Sequence, residues 1–190
     1  MQKSIFIIGA ATIAASFSAI SAPTSGNLNF TFQGVIPPAS VVPGAWKFVD
    51  LSGADYIPSS IPLSTVRNSD GSYLLSMVSP EIFAISTTGV SQNFTKGSNI
   101  NAQLASTIVS GSALSGHGDG TVTLSINGVA LDSTSKSVAS VSGTESQVTL
   151  SMNAQVTLPS SSVKGSGGNI STTSAVIFSA DVGLTPVIVA

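Results

Sequence analysis

The chain contains no cysteine and very little charge: of 190 residues, six are Lys or Arg, eight are Asp or Glu and one is His. Without cysteine there are no disulfides, no thiolate metal sites and no thiol nucleophile. The basic residues beyond the N-terminus, Lys47, Arg67, Lys96, Lys136 and Lys164, are scattered singly. Nucleic-acid binding needs clustered positive charge to displace counterions, so no nucleic-acid partner is expected. The lone His117 lies beside Ser115 and Asp119 in one glycine-rich stretch. A triad takes its members from separate, supported elements, and a metal site needs three or four ligands, so this stretch reads as a loop between strands. Asp50, Asp55, Asp70 and Glu81 show no spacing suited to paired-carboxylate chemistry and read as solvated turn residues. No catalytic, cofactor-binding or metal residue is expected, and the chain is not read as an enzyme.

What is present begins with an export signature. Lys3 precedes an apolar run from Ile5 to Ala15, and Ala19-Ile20-Ser21 offers small residues for cleavage before Ala22. Residues 1–21 are therefore read as a signal peptide, which places the remaining chain outside the inner membrane. No later apolar run approaches the ~20 residues that span a bilayer as a helix. Cleavage exposes Ala-Pro-Thr-Ser-Gly-Asn-Leu-Asn-Phe-Thr-Phe, in which Gly26, Leu28, Phe30 and Phe32 fall on one face of an extended strand. A terminus of this kind is able to pair with another molecule's sheet.

Helical periodicity is nearly absent. Short β-branched and aromatic runs alternate with Gly, Pro, Ser and Asn clusters, the pattern of an all-β sandwich. Strands are expected at 28–36, 46–49, 72–78, 121–126, 129–132, 147–158 and within 174–189. Asn127-Gly128 between two such runs predicts a type I′ turn, because both central positions require positive φ. Residues 147–158 give the longest strand signal, with Val148, Leu150, Met152, Ala154, Val156 and Leu158 on one face. Ser79-Pro80-Glu81 suits the start of a helical turn, yet the residues after it favour a strand. Residues 160–169 read as a flexible Ser/Gly loop and 37–43 as a proline-rich connector. Trp46, Phe48, Tyr56 and Tyr73 suit either a sugar-stacking platform or a core, and a core is the commoner use of a single tryptophan.

The segment Ala22-Pro-Thr-Ser-Gly26 through Leu28, Phe30 and Phe32-Gln-Gly34-Val35-Ile36 resembles the mature start of Gram-negative fimbrial subunits of the chaperone–usher type. The resemblance covers about 15 residues together with the size and β character of the chain. It implies an incomplete immunoglobulin-like sandwich, completed by a donor strand from a neighbouring subunit. The implied organisation is a signal peptide at 1–21, a donor-strand extension at 22–33 and a pilin domain at 34–190. The implied partners are a periplasmic chaperone, an outer-membrane usher and other fimbrial subunits, in a fimbrium at the cell surface that supports adhesion. Gly26, Leu28, Phe30 and Phe32 would enter successive pockets of the acceptor, and burying Leu and two Phe would contribute about 5–9 kcal/mol. The acceptor groove would border the C-terminal strand, either at Val176, Phe178, Ala180 and Val182 or nearer Val187 and Val189. Two features differ from many members of the family: Pro38-Ala-Ser-Val41 holds no cysteine, and Val189 replaces a penultimate aromatic residue. The alternative is a self-complete secreted β-sandwich that acts as an adhesin or carbohydrate-binding module, in which residues 26–32 would be an ordinary first strand.

Overall fold

The computed structural model describes residues 25–31, 45–89, 91–116 and 120–183. They form two antiparallel sheets. One contains β1 (Ser25–Thr31), β11 (Ser171–Ser179), β6 (Asn99–Ser110) and β9 (Lys136–Ser140), in that spatial order. The other is centred on β10 (Gln147–Leu158), flanked by β4 (Tyr73–Met77) and β5 (Glu81–Thr87), with β3 (Leu63–Arg67) and β2 (Trp46–Val49) beyond them. On the other side of β10 lie β7 (Thr121–Ile126) and β8 (Val129–Ala130).

β10 follows the sequence pattern closely. Leu150, Met152, Ala154, Val156 and Leu158 are buried, and the residues between them face outward. One edge of β10 is shared by β5 and β4, which run one after the other. Met152 pairs with Glu81 and Gln155 with Ser76, so three steps on β10 face five on the opposing chain. The two surplus residues lie in the 78–80 segment, where Pro80 cannot donate to a ladder and Val78 is exposed. Ser79-Pro80 thus bends a strand rather than starting a helical turn. The Asn127-Gly128 turn has φ of 49° and 80° at its two residues and joins Ile126 directly to Val129, as a two-residue type I′ hairpin requires. Asn127 also donates from Nδ2 to the Val138 carbonyl and accepts at Oδ1 from the Ser151 N–H, which ties the hairpin to both sheets.

Three strands went unpredicted. β6 reads Asn-Ile-Asn-Ala-Gln-Leu-Ala-Ser-Thr-Ile-Val-Ser and is poor in strongly β-forming residues. A bulge breaks its alternation as well, since Val176 pairs with Leu104 and Ala175 with Ser106, leaving Ala105 over. β3 and β9 are polar edge strands with few buried side chains. The 160–169 segment differs from the flexible loop expected there. Ser160–Ser162 form a 3-10 turn, Lys164 Nζ donates to the Ser112 carbonyl at 3.0 Å, and the Asn169 N–H donates to Ser112 Oγ at 3.0 Å.

The main core lies between the sheets. Leu28, Val176, Phe178 and Ile100 from one sheet meet Phe48, Phe83, Leu150 and Met152 from the other. Phe178 meets Phe48 edge-on at 5.3 Å and Phe83 edge-on at 5.9 Å between ring centroids. Tyr56 stacks on Phe83 at 5.2 Å and donates its hydroxyl to Glu81 Oε1 at 2.8 Å. Burial, then the nearby Glu81 carboxylate, pushes the Tyr56 hydroxyl well above its ordinary range, so it stays protonated and keeps that bond. Trp46 is fully buried edge-on against Phe48. Trp46, Phe48 and Tyr56 are therefore core residues rather than an exposed sugar platform. A smaller cluster of Leu75, Leu114, Val156 and Leu158 closes one end.

Candidate functional site: the β1–β11 edge

β11 owes its length to strict alternation. Along Ser171–Ser179 every second residue is buried: Thr172, Ser174, Val176 and Phe178. One edge of β11 is taken by β6 and the other by β1. β1 runs antiparallel to it over seven residues, with Gly26 opposite Phe178, Leu28 opposite Val176 and Phe30 opposite Ser174. Gly26 is buried and Leu28 is wholly so, within the main core. The N-terminal segment therefore completes the sheet and fills the core, and in this structure it does so on its own chain.

β1 is an edge strand. Among the described residues its ladder partner is β11 alone, and it continues into the sandwich through residues 32–44. Without it, the inward side chains of Val176 and Phe178 would line an open trough beside an unpaired strand edge. Each face of that trough has one chemistry: main-chain donors and acceptors along β11, and apolar surface below.

Of the residues singled out in the sequence, Gly26 and Leu28 sit on this edge with Val176 and Phe178 facing them. Phe30 is in register with Ser174, while Phe32 lies outside the described residues. Ala180 is buried just past the end of β11, and Val182 follows it, bridged to Phe94. Val187 and Val189 lie outside the described residues, as do His117 and Asp119. Ser115, from the same stretch, donates its hydroxyl to the Ser161 carbonyl. Two members of the trough, Thr172 and Ser174, escaped the sequence reading because they are polar. Their signal was their place in the alternating register with Val176 and Phe178.

Nothing among the described residues gathers three metal-ligating side chains. Asp50 and Asp70 serve local turns, Asp50 accepting from the Ser52 hydroxyl and from the Ser52 and Ala54 N–H groups and Asp70 from Ser72. Asp55 instead pairs with Lys47 at 2.6 Å, and Glu81 is not the expected turn residue but part of β5, held by the Tyr56 hydroxyl. A cavity of about 570 Å³ lies beside Leu63, Tyr73, Leu75, Val163 and Ile170, next to the start of β11, and no charged side chain lines it. What the β1–β11 edge offers is strand pairing and apolar burial.

No family model matches the chain. Across 181 residues it is 29% identical to the CS5 fimbrial subunit of Escherichia coli, covering 82% of this chain and 88% of that protein. Among solved structures, the CooA pilin subunit from enterotoxigenic Escherichia coli aligns over 75% of this chain and 76% of its own, with a TM-score of 0.32 and 11% identity. A likeness at that level carries no weight beside the sequence similarity and the geometry of β1 on β11.

Proposed function

We infer that the chain is a fimbrial subunit of the chaperone–usher type, a structural rather than enzymatic protein exported to the cell surface, and that it polymerises by exchanging β1 between neighbours. The observation that carries this reading is the place of β1. It is a terminal edge strand that pairs with one other strand and fills the core with Leu28. The 13 residues from 32 to 44 have a fully extended reach of roughly 45 Å, so the same segment is able to serve its own β11 or a neighbour's. Exchange of an identical element between protomers requires no new interface and no covalent link. Occupation of the edge before assembly would fall to a periplasmic chaperone that adds a strand of its own, and an outer-membrane usher would receive the subunit. Residues 22–33 act as the donor extension, 34–190 as the acceptor domain, and the finished fibre supports adhesion.

The test uses the full chain carrying Leu28→Asp, which places a charge where the core closes and unseats its own β1. A synthetic peptide covering residues 22–34 should then raise the melting temperature of this variant by several degrees, because it binds the folded state alone. The same peptide carrying Leu28→Asp should have no effect. A variant whose melting ignores the intact peptide would overturn the reading, and the chain would be a self-complete sandwich.

A further inference from the structure

Asn127-Gly128 is the one place in the chain where glycine follows asparagine. That pair carries a chemistry of its own. Glycine has no Cβ to hinder its nitrogen, so once the nitrogen gives its proton to a base in water it is able to attack the asparagine Cγ. A C–N bond forms, the Cγ–Nδ2 bond breaks, and ammonia leaves behind a cyclic succinimide. Water then opens the ring. Opening at Cγ leaves aspartate at position 127 in an ordinary main chain. Opening at the main-chain carbonyl leaves isoaspartate, whose backbone runs through the former side chain and is longer by a methylene. No oxidant or reductant takes part.

The folded turn withholds the first step. Ring closure needs the Gly128 nitrogen on the same side of the Asn127 Cα–C bond as Cβ. With φ of 49°, Asn127 is in the left-handed region, where ψ is about +47° and that nitrogen lies across the bond from Cβ. Three hydrogen bonds hold Asn127 there. Its N–H donates to the Ser151 carbonyl at 2.7 Å, its Oδ1 accepts from the Ser151 N–H at 2.8 Å, and its Nδ2 donates to the Val138 carbonyl at 2.9 Å. The N–H on Oδ1 would by itself draw charge from Cγ and favour attack, but rotation about Cα–C must come first, and that rotation undoes the turn. Steric shielding plays no part, since Asn127 is exposed and the space beside Gly128 Cα is open.

We propose that Asn127 is a deamidation site gated by opening of the β7–β8 hairpin, so that chains lingering open are modified and closed chains are spared. The modification is one-way. A carboxylate at position 127 offers no donor to the Val138 carbonyl and sets oxygen against oxygen. Isoaspartate also lengthens a loop in which Ile126 and Val129 pair across two residues, so the type I′ geometry is lost. The hairpin lies beside β10, and its bond to Val138 reaches β9 in the other sheet, so a modified chain loses a tie between the two sheets. The gate operates alike whether β1 is seated at home or on a neighbour.

The experiment incubates the full chain at mildly alkaline pH, once folded and once in concentrated guanidinium chloride, and reads tryptic peptides by mass spectrometry. Cutting after Lys96 and Lys136 puts Asn127 in one peptide with Asn99 and Asn101, which precede Ile and Ala and serve as internal controls. Position 127 should change from amide to acid about 10–100 times faster in denaturant, because the folded rate is scaled by the fraction of open hairpin. Equal rates in the two states would overturn the gate, and an amide that survives at position 127 in denaturant as long as those of Asn99 and Asn101 would overturn the site. Asn127→Asp reproduces one product and should lower the melting temperature at neutral pH by about 2–4 °C. An unchanged melting temperature would overturn the claim that modification loosens the tie to Val138.

Discussion

β10 and β11 are the two long alternating strands of this molecule, and they differ in how their neighbours are joined to the rest of the chain. β10 buries Leu150, Met152, Ala154, Val156 and Leu158, and is flanked by β5 and β4 on one side and β7 on the other. All of those strands belong to the continuous 45–183 body. β11 has β6 on one side, but its second neighbour is β1, a terminal segment joined to that body by residues 32–44. The inward face of β10 is apolar throughout, as suits a strand whose surroundings are fixed. That of β11 changes from apolar at Phe178 and Val176 to polar at Ser174 and Thr172.

The largest effect that would sharpen this contrast comes from cutting each strand's core contact. Leu150→Ala should cost about 2–5 kcal/mol of global stability and weaken hydrogen-exchange protection across both sheets. Leu28→Ala removes a side chain of the same size from the same core, yet its loss of protection should be concentrated in β1 and β11 while β10 keeps its slow amides. Equal loss of protection in β10 and β11 for both variants would break the contrast, because β1 would then be as integral as any central strand.

A smaller effect concerns groups outside both strands. The Ser52 hydroxyl holds Asp50 below its ordinary 3.8, and the Ser72 hydroxyl does the same for Asp70. Lys136, then the Thr134 hydroxyl, holds Asp132 well below the usual range, and the Ser142 hydroxyl holds Glu145 below its ordinary 4.5. A carboxylate whose pKa is lower in the folded state stabilises above its unfolded pKa, and that stability is lost as pH falls through the folded value. The melting temperature should therefore be flat from pH 7 to about pH 5 and fall gently below about pH 4, modestly because these acids are solvent-exposed. β1 and β10 should weaken together over that range, since none of the four acids lies on either strand. A steep loss centred near pH 6 would contradict this assignment.

Much of the sandwich was legible because its key residues obey one local rule each. Alternation over 147–158 gives β10, and Asn127-Gly128 gives the β7–β8 hairpin. Gly26 and Leu28 announce a strand that runs to an aromatic pair. β6 was illegible for two physical reasons. Its Asn, Gln, Ala and Ser residues are ordinary loop formers, held extended here by neighbours on both sides. Its bulge at Ala105 also resets the alternation halfway along. β3 and β9 are edge strands with little to bury, so hydrophobic pattern could not reveal them. At the site, the apolar members Val176 and Phe178 were visible, whereas Ser174 and Thr172 were not. A polar residue in a core face becomes informative only once the register shows what stands opposite it.

The absence of cysteine makes the central claim directly measurable. Asn27 and Ile177 are opposite one another in the β1–β11 ladder, close enough for a disulfide, so Asn27→Cys with Ile177→Cys places one bond across that edge and nowhere else. The double variant, expressed for export with its chaperone and usher and run on a denaturing gel without reductant, should give a ladder of covalent dimers, trimers and longer species. Reductant should collapse the ladder to one band. A single monomer band before reduction, carrying the bond within one chain, would mean that β1 stays at home and that exchange is not how the subunit assembles.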